Sequence, residues 1–183
     1  MSDILPTDRL WLRRFEKDDA PAVQRLAGAA EVADTTLLIP HPYPDGAAEG
    51  FIEMTHADWD KGEQYVFAVT LRDTNELCGS MGLKVSPKHE RAELGYWIGV
   101  PFWNQGYCTE AGRAVLEFAF ARLNLNTVVA HHFVRNPTSG RVLQKLGMKH
   151  EGTLRQHVKK GERFEDLECY SILKTEWPPT SKR

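Results

Sequence analysis

The stretch "YWIGVPFWNQGYCTEAGRAVLEFAFARL", residues 96–123, decides how this chain is read. An apolar run ends at a polar turn carrying Gly106, and a helical period then begins. An exposed turn at a helix N-terminus presents unpaired amides and the positive end of the helix dipole, a natural seat for phosphate. A Walker loop requires a lysine after its last glycine, and no candidate glycine here is followed by one. A dinucleotide fingerprint requires GxGxxG after the first strand of a parallel unit, whereas Gly106 follows three strands joined by short connections. The plain alternative is that Gly106 only lets the chain turn into a helix.

Working outward, "QYVFAVTL" (64–71), "LCGSMGLKV" (77–85) and "RAELGYWIGV" (91–100) predict three consecutive antiparallel strands, because "RDTNE" and "SPKHE" suit hairpins. Upstream, "RLWLRRF" (9–15) alternates Leu10 and Leu12 against Trp11 and Arg13, a first strand. A helix follows over 16–30, with Asp18 as N-cap and Pro21 near its first turn. "LLIPHPYPDG" (37–46) holds three prolines within five residues and must be a loop. Residues 47–63 return to helical period through Phe51, Ile52, Met54 and Trp59. Downstream come a helix over about 107–123 and a strand over 126–134. "NPTSGRVLQKLG" (136–147) carries Asn136 as N-cap, Pro137 at the first helical position and Gly147 as the stop. "MKHEGTLRQHV" and "FEDLECYSIL" close the chain as a hairpin, with residues 178–183 expected as a flexible tail.

At 183 residues the chain fits one domain, 1–183. The net charge of −2 and scattered Lys and Arg show no nucleic-acid footprint. Cys78, Cys108 and Cys169 form no CxxC pair, which fits reduced thiols rather than a disulfide frame or a zinc site. With no signal peptide or membrane-length apolar run, a soluble, cytoplasmic protein is expected.

The order of elements, together with "LPTDRLWLRRF" (5–15), "AELGYWIG" (92–99), "FWNQGYCTEA" (102–111) and "NPTSGRVLQKLGMKHEG" (136–152), resembles the GNAT N-acetyltransferase superfamily over nearly the whole chain. Within it, these stretches are similar to the group of ribosomal-protein N-terminal acetyltransferases. The resemblance implies an α+β fold: a mixed, mostly antiparallel sheet of about seven strands, splayed between the fourth and fifth, with about four helices on its two faces. It implies acetyl-CoA as co-substrate, bound through its pyrophosphate at the turn. The superfamily pattern falls on Trp103, Asn104, Gln105, Gly106, Tyr107 and Cys108, with Thr109 beside it. Two positions depart from that pattern: Trp103 stands for an Arg or Gln, and Cys108 for a small residue. Backbone groups of Trp97, Ile98, Gly99 and Val100 are implied partners of the pantetheine arm and acyl oxygen, with Gly99 permitting a bulge or accommodating packing.

Acetyl transfer to an amine needs a deprotonated amine, a polarised carbonyl and a protonated leaving thiolate. Glu93, alternating with Gly95 and Trp97 on one strand face, is the candidate base, its pKa raised by burial beside tryptophan; a salt-bridged strand glutamate is the alternative. Ser139 is the implied proton donor to sulfur, or a first-turn hydroxyl satisfying a backbone amide. Asn136 is a cap, and by resemblance a coenzyme contact. His131 and His132 are adjacent on a strand, point to opposite faces and read as packing or surface residues; no metal is expected. Cys108 has no sequence-adjacent histidine to make it a covalent carrier. The acceptor is expected to be a primary amine, either a protein N-terminus such as that of a ribosomal protein or a small molecule. The proline loop and terminal hairpin are its expected walls, and the resemblance allows a homodimer. Rivals are a non-catalytic acyl-CoA sensor and an RNA-associated factor, the latter disfavoured by charge.

Overall fold

The computed structural model describes residues 4–177, so the expected tail at 178–183 lies outside the described residues. In chain order the elements are β1 (Leu5–Pro6), β2 (Leu10–Arg13), α1 (Ala20–Ala27), α2 (Ala30–Asp34), α3 (Ala47–Lys61), β3 (Gln64–Leu71), β4 (Leu77–Ser86), β5 (Arg91–Ile98), α4 (Tyr107–Glu117), β6 (Thr127–Phe133), α5 (Pro137–Lys145), β7 (Lys149–Lys160) and β8 (Arg163–Leu173). The strands form one sheet in the order β1-β2-β3-β4-β5-β6-β8-β7. Eight strands stand where about seven were expected, because the two-residue β1 pairs with β2. Five α-helices stand where about four were expected, because a short further helix, α2, follows α1 just past the expected helical stretch 16–30.

The expected helix start also moves. Asp18 sits in a short 3₁₀ turn, and Asp19 occupies the N-cap position of α1. Arg13, at the end of β2, is buried and needs a counter-ion, which Asp19 supplies in a forked pair at 2.7 and 2.9 Å. The same carboxylate accepts the Glu16 amide at 2.7 Å. Tertiary demand at Arg13 therefore fixes where the helix begins.

The alternation read in β5 is the alternation observed. Ala92, Leu94 and Tyr96 join a core with Leu116, Val115 and Ala111 of α4 and Leu143 of α5. Trp97 packs on the other face with Val23 and Leu26 of α1, Ala48 and Ile52 of α3, and Ala68 of β3. The proline-rich segment is a loop, with a cis His41–Pro42 bond, and it lies over α1: Gln24 Nε2 donates to the Tyr43 carbonyl at 3.0 Å. The predicted terminal hairpin is β7 and β8, whose outer strand carries two register shifts and mostly charged or polar exposed residues, features that blunt a free sheet edge.

Neighbouring strands run antiparallel throughout except β5 and β6, which are parallel. Their pairing runs only from Arg91↔Thr127 to Leu94↔Ala130. Beyond it β5 continues to Ile98 and β6 to Phe133 with no partner between them, so the sheet splits there.

Candidate active site

The split opens beside the turn that begins α4. Gly106 adopts φ +81° and Asn104 φ +60°, left-handed conformations that fold the chain tightly into the helix. Glu110 N bonds back to the Gly106 carbonyl at 3.0 Å, while the amides of residues 105–109 make no backbone bond among the described residues. Free amides, left-handed geometry and a helix dipole fit a diphosphate, and the unpaired inner edge of β5 fits an extended amide-bearing arm. These residues therefore suit an acyl-coenzyme A molecule on the geometry of the chain itself.

Trp103 does not substitute for a charged side chain at this turn. Its Nε1 donates to the Ile98 carbonyl at 2.6 Å, bracing the turn against the end of β5. Gln105 Nε2 reaches the Pro101 carbonyl at 3.0 Å, in the same short arch. The cation beside the turn is Arg9, which is paired with Glu110: its Nη1 donates to the Gln105 carbonyl at 3.0 Å, and its guanidinium lies 4.7 Å from the centre of the Tyr107 ring. A Cβ at Gly106 would stand 3.4 Å from Arg9 Nη2. Arg9 is held by Glu110 at 2.7 Å, and Thr7 Oγ1 donates to the same carboxylate at 2.6 Å. Two motifs quoted separately from the sequence, "LPTDRL" and "CTEA", thus meet in one cluster. Thr109 sits half-buried in the first turn of α4, and Cys108 beside it has its thiol pushed up to about 12 by burial.

Of the four residues expected along the arm, Trp97 packs inward, Ile98 has its carbonyl engaged by Trp103, and Val100 is partly exposed in a short 3₁₀ turn. The Gly99 amide donates to the Cys78 carbonyl at 2.8 Å. Gly99 has φ −63°, and the β4–β5 register runs without a shift up to Ile98, so no bulge forms. Its small size serves packing: a Cβ there would meet Leu26 Cδ2 at 2.8 Å. The split comes from the end of β5–β6 pairing.

On the α4–α5 face, Tyr96 Oη and Ser139 Oγ are 2.6 Å apart. Asn136 caps α5 as predicted, its side-chain oxygen accepting the Ser139 amide at 3.3 Å. The Ser139 hydroxyl therefore faces Tyr96 rather than serving as a first-turn filler. Burial, with a contribution from Cys108, pushes the Tyr96 hydroxyl well above its ordinary value of 10.

On the opposite face, Glu93 and His131 lie on either side of the end of the pairing. His131 Nδ1 and Glu93 Oε1 are 3.0 Å apart, and since a carboxylate only accepts, Nδ1 carries the proton. The hydrogen bond from His131 holds the Glu93 carboxyl below its ordinary value against the opposing effect of burial, and Lys84 and Arg91 act in the same direction. The raised pKa expected beside Trp97 is thus corrected, because Glu93 has 54 % of its side chain exposed and a donor at hand. His131 and His132 do face opposite ways. His132 is buried against α5, its Nδ1 donating to the Phe133 carbonyl at 2.8 Å and its Nε2 lacking a partner. His131, Tyr96, Arg9 and Glu110 were not selected from the sequence; the strand alternation placing Tyr96 opposite Glu93 was the one signal present.

The two segments expected to wall the acceptor site touch each other. Lys160 Nζ donates to the Leu37 and Ile39 carbonyls at 3.4 and 3.1 Å, joining the hairpin tip to the proline loop. Arg135 pairs with Asp34 at 2.6 Å and with the buried Glu165 at 3.0 Å.

The sequence profile of the "Acetyltransferase (GNAT) domain" matches residues 9–149. This chain belongs to the GNAT acetyltransferase family. A relative, the uncharacterized N-acetyltransferase p20 of Bacillus licheniformis, is 30 % identical over 177 residues, covering 96 % of this chain and 98 % of its own. The crystal structure of a GNAT-family acetyltransferase from Bacillus anthracis superposes with a TM-score of 0.85 at 25 % identity, over 94 % of this chain and 99 % of that one. A ribosomal L7/L12 alpha-N-protein acetyltransferase, RimL, solved with coenzyme A, shares the GNAT fold at a TM-score of 0.86 and 19 % identity, over 93 % and 97 % of the two chains. The acyltransferase class rests on these matches, and no helix among the described residues is long and apolar enough to cross a membrane.

Proposed function

We propose that this acetyltransferase moves the acetyl group of acetyl-CoA directly to a primary amine in a ternary complex. The observation that carries the reading is the split between β5 and β6, with the Gly106 turn at its mouth and hydroxyl and carboxylate–imidazole pairs on its two faces. Amides 105–109 hold the pyrophosphate, Arg9, paired with Glu110, braces the turn through the Gln105 carbonyl, and the free edge of β5 aligns the pantetheine arm. The coenzyme supplies an activated acyl group. Ser139, backed by Tyr96, stands on the side where a departing thiolate takes its proton. Cys108 carries no acyl group, since a thiol held near 12 is almost wholly protonated at neutral pH.

The acceptor enters from the Glu93 face, where a Cβ at Gly95 would meet nothing within 4 Å. The fold likeness to an alpha-N-protein acetyltransferase supports a protein N-terminal amine as one acceptor class. The test is thiol release from acetyl-CoA with a panel of peptides bearing free N-termini and of small primary amines. Release with at least one acceptor class is expected; tight acetyl-CoA binding with no release across the panel would count against the proposal.

A further inference from the structure

We propose that His131 Nε2 is the catalytic base of the transfer and that Glu93 is its positioning residue. The inference rests on the acetyltransfer reading above and assigns the proton acceptor within it.

The last paired residues of the two splayed strands are Leu94 and Ala130, which makes His131 the first residue of β6 past the split. It lies closer to the opening than Glu93, which is still inside the paired segment opposite Val129. The two side chains share the face away from Tyr96 and Ser139. A group reaching through the split therefore has hydroxyls on one side and the imidazole on the other. The carboxylate fixes the tautomer: Nδ1–H donates to Glu93 at 3.0 Å, so the lone pair of the neutral ring is on Nε2. Among the described residues Nε2 has no hydrogen-bond partner, and the His131 side chain is 29 % exposed, enough to meet an acceptor.

Glu93 is poorly suited to take the proton itself. It is held ionised by His131 and by the nearby Lys84 and Arg91, which weakens it as a base. A carboxylate that orients an imidazole and stabilises its charged form is the arrangement in which histidine does the proton transfer. The charged and titratable groups around the pair are Lys84 on β4, Arg91 on β5 and Cys169 on β8, directly opposite His131. Cys169 stays protonated, its thiol raised by burial and by Glu168 and Glu93.

In the step, one proton of the substrate ammonium passes to Nε2 and from there to solvent. The amine nitrogen then bonds the acyl carbon, and the carbon–sulfur bond breaks. The second nitrogen proton returns to the freed Nε2 and passes to solvent, while sulfur takes one from the Ser139–Tyr96 hydroxyls, which solvent restores. The products are the amide, free coenzyme A thiol and one released proton.

The test uses the full chain, acetyl-CoA and the best acceptor from the panel. His131→Gln is expected to lower kcat/KM on the order of 10²–10⁴-fold, with acetyl-CoA affinity and melting temperature close to wild type. His131→Ala is expected to regain at least about tenfold on adding imidazole, in proportion to the unprotonated imidazole present. Glu93→Gln keeps an acceptor for Nδ1–H and removes the charge; its smaller loss is expected to fall on kcat with the acceptor KM within about threefold of wild type, a split that general loosening of the strand would not give. Activity of His131→Gln within about threefold of wild type, or failure of imidazole rescue while Glu93→Gln alone collapses, would overturn the assignment and leave the acetyltransfer reading standing. A wild-type chain that binds acetyl-CoA and acetylates nothing would overturn both.

Discussion

Arg9 and Glu110 are 101 residues apart in the chain and form a forked contact, the Glu110 carboxylate accepting the Arg9 backbone amide at 2.8 Å and Arg9 Nε at 2.7 Å. The contact locks the start of β2 onto the first turn of α4. Glu110 is also well placed for the helix dipole, being acidic at an N-terminal turn. The Gly106 turn is thus anchored by the connection between β1 and β2.

Burial alone would raise Glu110, but Thr7 and the backbone and side chain of Arg9 together hold it below its ordinary value of 4.5. A carboxyl depressed in the folded state stabilises above its unfolded value and loses that contribution as pH falls through the folded one. Glu110→Gln is expected to cost about 1–2 kcal/mol at neutral pH, discounted for the half exposure of Arg9. The deficit relative to wild type should shrink as pH drops below 4.5. Melting curves of both proteins across that range check it; a gap that is constant or widens toward acid would refute the linkage.

Tyr96→Phe removes the hydroxyl 2.6 Å from Ser139 with little change in volume. The expected result is a kcat lower by on the order of 10²-fold, with acetyl-CoA affinity retained. Because burial raises the Tyr96 hydroxyl above 10, the wild type should show no basic limb from its ionisation below that pH. Steady-state rates at several pH values decide it; unchanged kcat in Tyr96→Phe removes the hydroxyl pair from the chemistry.

Gly106→Ala forces an L-residue into φ +81° beside Arg9. The strain costs about 1–2 kcal/mol, a fall in melting temperature of about 2–8 °C for a chain of this size. Relief of that strain would turn the amides, so acetyl-CoA affinity should weaken at least several-fold. Calorimetric titration reads the second effect, and affinity equal to wild type would remove the turn from coenzyme binding.

Arg135→Ala leaves Glu165, 8 % exposed, without its 3.0 Å partner and leaves Asp34 only the longer contact to Arg163 at 3.5 Å. Since these residues tie α2 to the hairpin, the expected wall of the acceptor site, the acceptor KM should rise about tenfold or more while acetyl-CoA affinity holds. Titrating both substrates separates the two; an equal effect on each would mean general destabilisation.

Much of this was written in the chain locally. Period-two alternation set the faces of β5, helical period and caps set α4 and α5, and the prolines at 40, 42 and 44 excluded any regular element from the loop over α1. Position Asp19, by contrast, became the start of α1 only because buried Arg13 required it. Gly99 looked like a bulge or a packing site, and only the approach of Leu26 decided for packing.

By itself the sequence determined which side chains share a face, where the Gly106 turn lies and which motifs accompany it, because periodicity and turn chemistry act over a few residues. Tertiary structure decided which groups meet: Glu93 with His131 across 38 residues, Tyr96 with Ser139 across 43, Arg9 with Glu110 across 101. Those meetings also set protonation, since a carboxyl's pKa follows the donor beside it and its burial rather than its place in the chain. That is why Glu93, read as a base raised by a neighbouring tryptophan, is instead an ionised partner of a histidine.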